Sequence, residues 1–158
     1  MMELLVAVLV MGVGVLGVTG LQLVSLQNNR DALLRGEAVQ QAYDILDRIR
    51  VNQPSAAYDG VDMDDDPPGF QDCMAGACTT AEMVAYDIGS WKCSLGAHMD
   101  HATCTSMRDN GILPAQTAMP GLPDGDGSIA VNGVSITVTV QWRGFDDQMQ
   151  TVTVNSQG

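Results

Sequence analysis

Basic side chains are scarce. Seven Lys and Arg stand against 19 Asp and Glu in 158 residues, a net charge of −12. That balance excludes a nucleic-acid-binding surface, because phosphates demand a basic footprint, and it supplies no polybasic patch for anionic lipid. An acidic surface of this kind mainly keeps a protein soluble. No Lys or Arg precedes Arg30. The N-terminus therefore lacks the basic flank of a secretory signal, and no good A-x-A cleavage site follows its apolar run. Aromatic residues make up only 4% of the chain; Trp91, Trp142 and Tyr86 are expected in core or helix–sheet packing rather than on a ligand platform.

What is present is concentrated at the start. From Leu4 to Val18 every residue is apolar or Gly, and Thr19 is the first hydroxyl. As a helix, Leu4–Leu21 would be about 27 Å long, close to the ~30 Å hydrocarbon core of a bilayer. Glu3 stands at the mouth of this run. A carboxylate beside hydrocarbon costs several kcal/mol unless a cation offsets it, and the only nearby candidate is an N-terminal amine, its own or a neighbour's. Gly12, Gly14 and Gly17 reproduce a dinucleotide-binding spacing, but no βαβ unit follows. With Gly20 they read instead as close helix packing or a locally melted turn. Beyond the apolar run, about 130 residues remain, enough for one small domain.

The apolar run grades into an amphipathic pattern. Leu34, Ala38, Ala42, Ile45 and Ile49 recur at helical spacing, broadened by Leu33, Val39 and Leu46. Pro54 ends it, giving one helix of roughly 50 residues, far above the ~12-residue average. Acids and arginines between Arg30 and Arg50 can pair at i,i+3 and i,i+4. Residues 53–80 read as an Asp-rich loop. Residues 81–95 read as a short helix with Thr79 or Thr80 as N-cap and Glu82 in its first turn. Residues 96–126 read as loop again. Ser128–Val131, an Asn132-Gly133 type I′ turn and Val134–Trp142 predict a hairpin. Val134, Ile136, Val138, Val140 and Trp142 alternate with polar residues, so one face is buried. Met149–Asn155 returns as a third strand.

Four cysteines, Cys73, Cys78, Cys93 and Cys104, all follow the apolar run. An even count in a tethered, loop-rich domain fits disulfides made outside the cytoplasm. Three pairings are possible. The local ones, Cys73–Cys78 and Cys93–Cys104, are favoured because each closes a short loop flanked by turn residues. Drawing His98, His101, Cys93 and Cys104 as a zinc site is the weaker reading, since paired cysteines leave no thiolates; the histidines then read as polar loop residues. Asp62, Asp64 and Asp66 copy the start of an EF-hand loop, but Pro67 and Cys73 occupy positions that need Gly and Glu, so a solvated acidic loop is favoured. Asp124-Gly125-Asp126-Gly127 reads as a turn. No metal, cofactor or catalytic set is expected.

MMELLVAVLVMGVGVLGVTGLQ resembles the N-terminus of a type IV pilin. Gly14, Leu16-Gly17 and Gly20-Leu21-Gln22 are similar to the PilV-type minor pilins in particular. Ala42-Tyr43-Asp44, Asp47–Asn52, Cys78-Thr79, Ala85-Tyr86-Asp87, Trp91, Leu122-Pro123 and Gly127-Ser128-Ile129 extend that resemblance along the chain. Met1-Met2 then match the third and fourth mature residues of the family and Glu3 its acidic residue. The family's basic leader, the glycine before the cut and the first two mature residues precede that match, so the expectation is either a chain read from a late start or an incomplete version of it.

The resemblance implies an α+β, pilin-like fold, with a long N-terminal hydrophobic helix packed on a C-terminal antiparallel sheet. Residues 1–26 would be membrane anchor and filament core, and residues 27–158 the globular domain. It implies a structural protein and not an enzyme: a minor pilin acting in type IV pilus assembly, adhesion or motility, with a minor pseudopilin of type II secretion as the alternative. Glu3 would neutralise the terminal amine, and Gly12, Gly14, Gly17 and Gly20 would serve helix packing. Implied partners are other minor pilins, the major pilin, the inner-membrane assembly machinery, and prepilin peptidase acting on the full-length precursor. Implied locations are the inner membrane before assembly and the extracellular pilus after it.

Overall fold

A computed structural model describes residues 2–157. The elements run α1 (Met2–Val51), a 3-10 turn (Ser55–Tyr58), α2 (Thr80–Leu95), α3 (Ala102–Asp109), β1 (Asp126–Asn132), β2 (Ser135–Arg143) and β3 (Met149–Gln157). The chain divides into two compact units, Met1–Leu33 and Leu34–Gly158. The fold is α+β: a long N-terminal apolar helix and a three-stranded antiparallel sheet in the order β1-β2-β3.

The first unit is apolar helix with its side chains exposed. In the second, the α1 stripe is buried at Ala38, Ala42, Ile45, Leu46 and Ile49. These residues share one core with Tyr58, Trp91, Leu95 and Leu122, and with Ile129, Ile136, Val138, Val140 and Trp142 of the sheet. Leu34 packs at its margin, whereas Leu33 is 75% exposed and lies off the stripe. One residue is 100° of helix, enough to turn a side chain from core to solvent. Arg48 and Arg50 in the last turn complement the helix dipole.

Thr79 is the N-cap of α2 and makes a capping box with Glu82. The backbone N–H of Thr79 bonds the Glu82 carboxylate at 2.7 Å, which holds that carboxyl below its ordinary value. Gly96, at φ +131°, ends the helix, and a side chain there would collide with the Leu122 carbonyl. Leu122 N–H in turn bonds Leu95 O at 2.6 Å, so the Pro/Gly-rich run is laced to the end of α2.

The segment read as loop from 96 to 126 contains α3, two turns of helix that bury only Cys104 and Met107. A cap and a cross-link fix it instead: His101 Nδ1 accepts from Thr103 N–H, and Cys104 is tied to Cys93 of α2. Cys93, Cys104 and Met107 form a small second core with Phe70, Ile112 and Leu113 at its edge. The other disulfide joins Cys73 to Cys78. The segment read as loop from 53 to 80 likewise contains the 3-10 turn, which delivers Tyr58 to the main core.

The hairpin turn is one residue later than the sequence suggests. Asn132 pairs with Ser135, leaving Gly133-Val134 as the loop. Gly133 has φ +61° and Val134 has no positive φ, the pattern of a type II′ rather than a type I′ turn. Val134 is therefore at an exposed tip, not in the strand. Moving a two-residue loop by one position shifts the register by two, which leaves every side chain on its own face. Alternation could not distinguish the two registers. In the register adopted, Gly127 sits under the Trp91 ring, where any Cβ would strike it.

Candidate functional site

The site begins with what α1 leaves uncovered. An 18-residue window of the helix has a mean hydropathy of 2.5, and none of it is buried. By length and composition it is long and apolar enough to cross a membrane. Within it Thr19 Oγ1 donates to the Val15 carbonyl at 2.8 Å, so the hydroxyl is satisfied by the helix itself.

Glu3 lies in the first turn of α1, where an acid is favoured by the unpaired N–H groups and the positive end of the dipole. Met1, the start of the pilin-like match, lies outside the described residues. Gly12, Gly14, Gly17 and Gly20 face open space, and a methyl group added at any of them would meet nothing within 4 Å. Gly14, Gly17 and Gly20 follow one another at i+3, a shallow row from which a neighbouring backbone is not held off by side chains. Gly12 lies off that row. Each glycine also weakens the helix by about 1 kcal/mol relative to Ala. The apolar segment thus combines a surface that needs a cover with a backbone less rigid than its length suggests.

In the second unit, α1 and α2 are joined by a polar cluster centred on Arg48. Its guanidinium reaches Asp44 at 2.9 Å, Ser90 Oγ at 2.9 Å and Asp87 at 3.4 Å. Tyr58 donates to the other Asp87 oxygen at 2.5 Å and accepts from Asn52 at 2.9 Å. Burial, and then the Asp87 hydrogen bond, push the Tyr58 phenol above its ordinary range. Trp91 Nε1 donates to the Gln41 carbonyl at 3.0 Å, pinning α2 to the middle of α1's second half. The Asp44, Asp47–Asn52, Ala85–Asp87 and Trp91 motifs all fall in this joint.

A second polar cluster was not visible in the sequence. Lys92, the only lysine in the chain, has no solvent exposure. Its Nζ donates to Asp126 Oδ1 at 2.8 Å and to the Asp62 carbonyl at 2.7 Å. Asp126 also accepts from Gly127 N–H and Asp64 N–H, both at 2.7 Å, and His98 Nε2 lies 3.4 Å from it. Burial raises the Asp126 carboxyl, but the Lys92 hydrogen bond and the two backbone N–H groups outweigh it and hold it below its ordinary value. Asp126 is thus a strand residue that clamps three segments, not part of a free turn.

The same contacts tie the Asp-rich loop into the fold largely through its backbone. Asp62 offers its carbonyl to Lys92, Asp64 gives its N–H to Asp126, and Asp65 accepts from Asp62 N–H. Among the described residues no three His, Cys, Asp or Glu side chains converge as metal ligands. Cys93 and Cys104 are disulfide-bonded, His101 caps α3 and His98 faces Asp126.

Comparison with known proteins bears on the end of the apolar segment and the α1–α2 joint. Residues 20–89 match the Tt1218-like family, described as type IV pilin Tt1218. The match supports a type IV pilin. It runs from the end of the apolar segment to the middle of α2 and takes in the Arg48 cluster and the Cys73–Cys78 loop. No curated protein and no solved structure gives a significant match to the chain.

Proposed function

We propose that the chain is a minor pilin of the PilV type. Residues 1–26 anchor it in the inner membrane and become filament core once it is inserted into a type IV pilus; residues 27–158 form the head. The observation that carries this reading is the unburied apolar helix headed by a single acid, joined to a stretch that matches a type IV pilin family. Leaving such a helix in water is prohibitive, since each fully exposed Val or Leu forgoes about 1.5–3 kcal/mol of burial. A bilayer covers it before assembly, and like helices cover it afterwards.

Within this reading Glu3 neutralises a terminal amine on its own chain or the next and sets axial register. The glycine row lets helices approach closely. The head primes assembly with other minor pilins and the major pilin, after the inner-membrane machinery and prepilin peptidase have acted on the precursor, and it presents the outer surface for adhesion.

Mass spectrometry of surface filaments sheared from the native organism tests this directly. Peptides of this chain in the filament fraction, at a low ratio to the major pilin, are the expected result. Its absence from filaments, with the chain intact in the inner membrane, would overturn the reading and leave a secretion pseudopilin or an anchored periplasmic domain.

A further inference from the structure

The outer edge of β3 is bare. Its main-chain directions follow from the far side of the sheet, where Ile129 N–H bonds the Val61 carbonyl at 2.8 Å and Val131 N–H bonds Asp59 at 2.7 Å. Odd residues of β1 therefore point away from β2. Antiparallel pairs alternate between bonded and non-bonded, so even residues of β1 bond odd residues of β2, and even residues of β2 bond β3. Through Val138↔Val154 and Val140↔Val152, the even residues of β3 face β2. Thr151, Thr153 and Asn155 direct their N–H and C=O groups outward, and among the described residues these groups have no hydrogen-bond partner.

Sheet edges are normally blunted by charge, proline, a bulge or a covering segment. The sequence MQTVTVNSQ has no charge and no proline. Its nine residues pair with β2 without a bulge. The other edge of the same sheet is partly covered by residues 59–61. In a chain of net charge −12, an uncharged, unprotected nine-residue edge is an exception.

We propose that this edge takes an extended segment of a different polypeptide as a fourth strand. Main-chain bonds to Thr151, Thr153 and Asn155 would hold it. Its residues on the core side would be apolar, to cover the half-buried Val152 and Val154. Those on the outer side would be Thr-like, extending the row in which Thr137 bonds Asn155 and Thr139 meets Thr153. The acidity of the head requires the segment to be neutral or basic.

Symmetric pairing of two copies is the competing occupant. It would set two chains of net charge −12 edge to edge, a like-charge juxtaposition that opposes it.

The test uses the purified full-length chain in detergent, with the synthetic peptide Lys-Thr-Val-Thr-Val-Thr-Val-Lys as probe and residue-resolved amide exchange as readout. Saturating peptide should slow exchange at Thr151, Thr153 and Asn155 by roughly tenfold or more, with little change at Val152 and Val154. A peptide N-methylated at alternate positions should do nothing. Thr153→Pro, which removes an outward N–H and leaves the β2 ladder, should abolish the effect. Unchanged exchange with the unmethylated peptide would overturn the proposal. So would protection that grows with protein concentration without peptide, which would assign the edge to a second copy. Filament content plays no part in this experiment, so its failure and that of the pilin reading are separable.

Discussion

Lys92→Met isolates the buried pair. The substitution keeps the stem that fills the space beside Asp126 and removes the charge, leaving a carboxylate that is 3% exposed. Removing one partner of a buried pair costs about 3–5 kcal/mol. Here the lower end, about 3 kcal/mol, applies, because Asp126 keeps the N–H groups of Asp64 and Gly127. Against a total stability of about 5–15 kcal/mol for a small domain, that is a large fraction.

Urea unfolding in detergent, followed by tryptophan fluorescence, reads the head alone, since Trp91 and Trp142 are both in its core. With a slope near 2 kcal/mol per molar, the midpoint should fall by roughly 1.5 M. Acid gives the second readout. Asp126 is held below its ordinary carboxylate value, so its contribution is fully present above that value and is lost as pH falls through the lower folded one. In Lys92→Met the largest influence holding the Asp126 pKa down is gone, so acidification should cost the variant less stability than wild type. Lys92→Met/Asp126→Asn, with neither charge, should recover part of the loss. A midpoint within about 0.3 M of wild type would refute the assignment of Lys92 and Asp126 as a coupled buried pair.

The other predictions concern separate parts of the chain. Glu3→Ala should leave the chain in the membrane and deplete it from filaments, measured by immunoblot of membrane and sheared-filament fractions; normal incorporation would remove Glu3 from assembly. Tyr58→Phe should cost about 1–3 kcal/mol by taking a donor from buried Asp87. It should also flatten the loss of wild-type stability above about pH 10, since a raised phenol pKa contributes below the unfolded value. Mild reduction followed by alkylation and mass spectrometry should open Cys73–Cys78 first, because Cys93 and Cys104 are buried and the other pair is not. Opening the longer Cys93–Cys104 loop should cost more, roughly 3 against 2 kcal/mol by loop entropy.

The sequence showed those features that repeat. The Ala38–Ile49 stripe and the alternation from Ile136 to Trp142 are periodic, and each is buried as its period requires. The Thr79 cap was legible because capping is local chemistry. Features made by a single long-range contact left no trace. Nothing in the sequence around Lys92 marks it as buried, and Asp126 within DGDG reads as a turn; only the fold brings them within 2.8 Å. The eight residues of α3 are too few for a helical period to stand out in the sequence, and a disulfide and a histidine cap hold them.

The division of labour follows from where polar groups were placed. In the head, costly groups are turned inward and satisfied: Lys92 with Asp126, Asp87 with Tyr58 and Arg48, Trp91 with the α1 backbone. Each fixes a specific joint between elements, so a small domain with a modest main core and a smaller second one holds a definite shape. The first unit is the reverse. From Leu4 to Val18 it carries no polar side chain, its apolar side chains are uncovered, and its glycines face open space. Such a segment has no internal reason to prefer one neighbour over another, apart from Glu3. A helix that apolar will enter a bilayer or a bundle alike; in the pilin reading proposed above, the pairing of Glu3 with a terminal amine is what would distinguish the two.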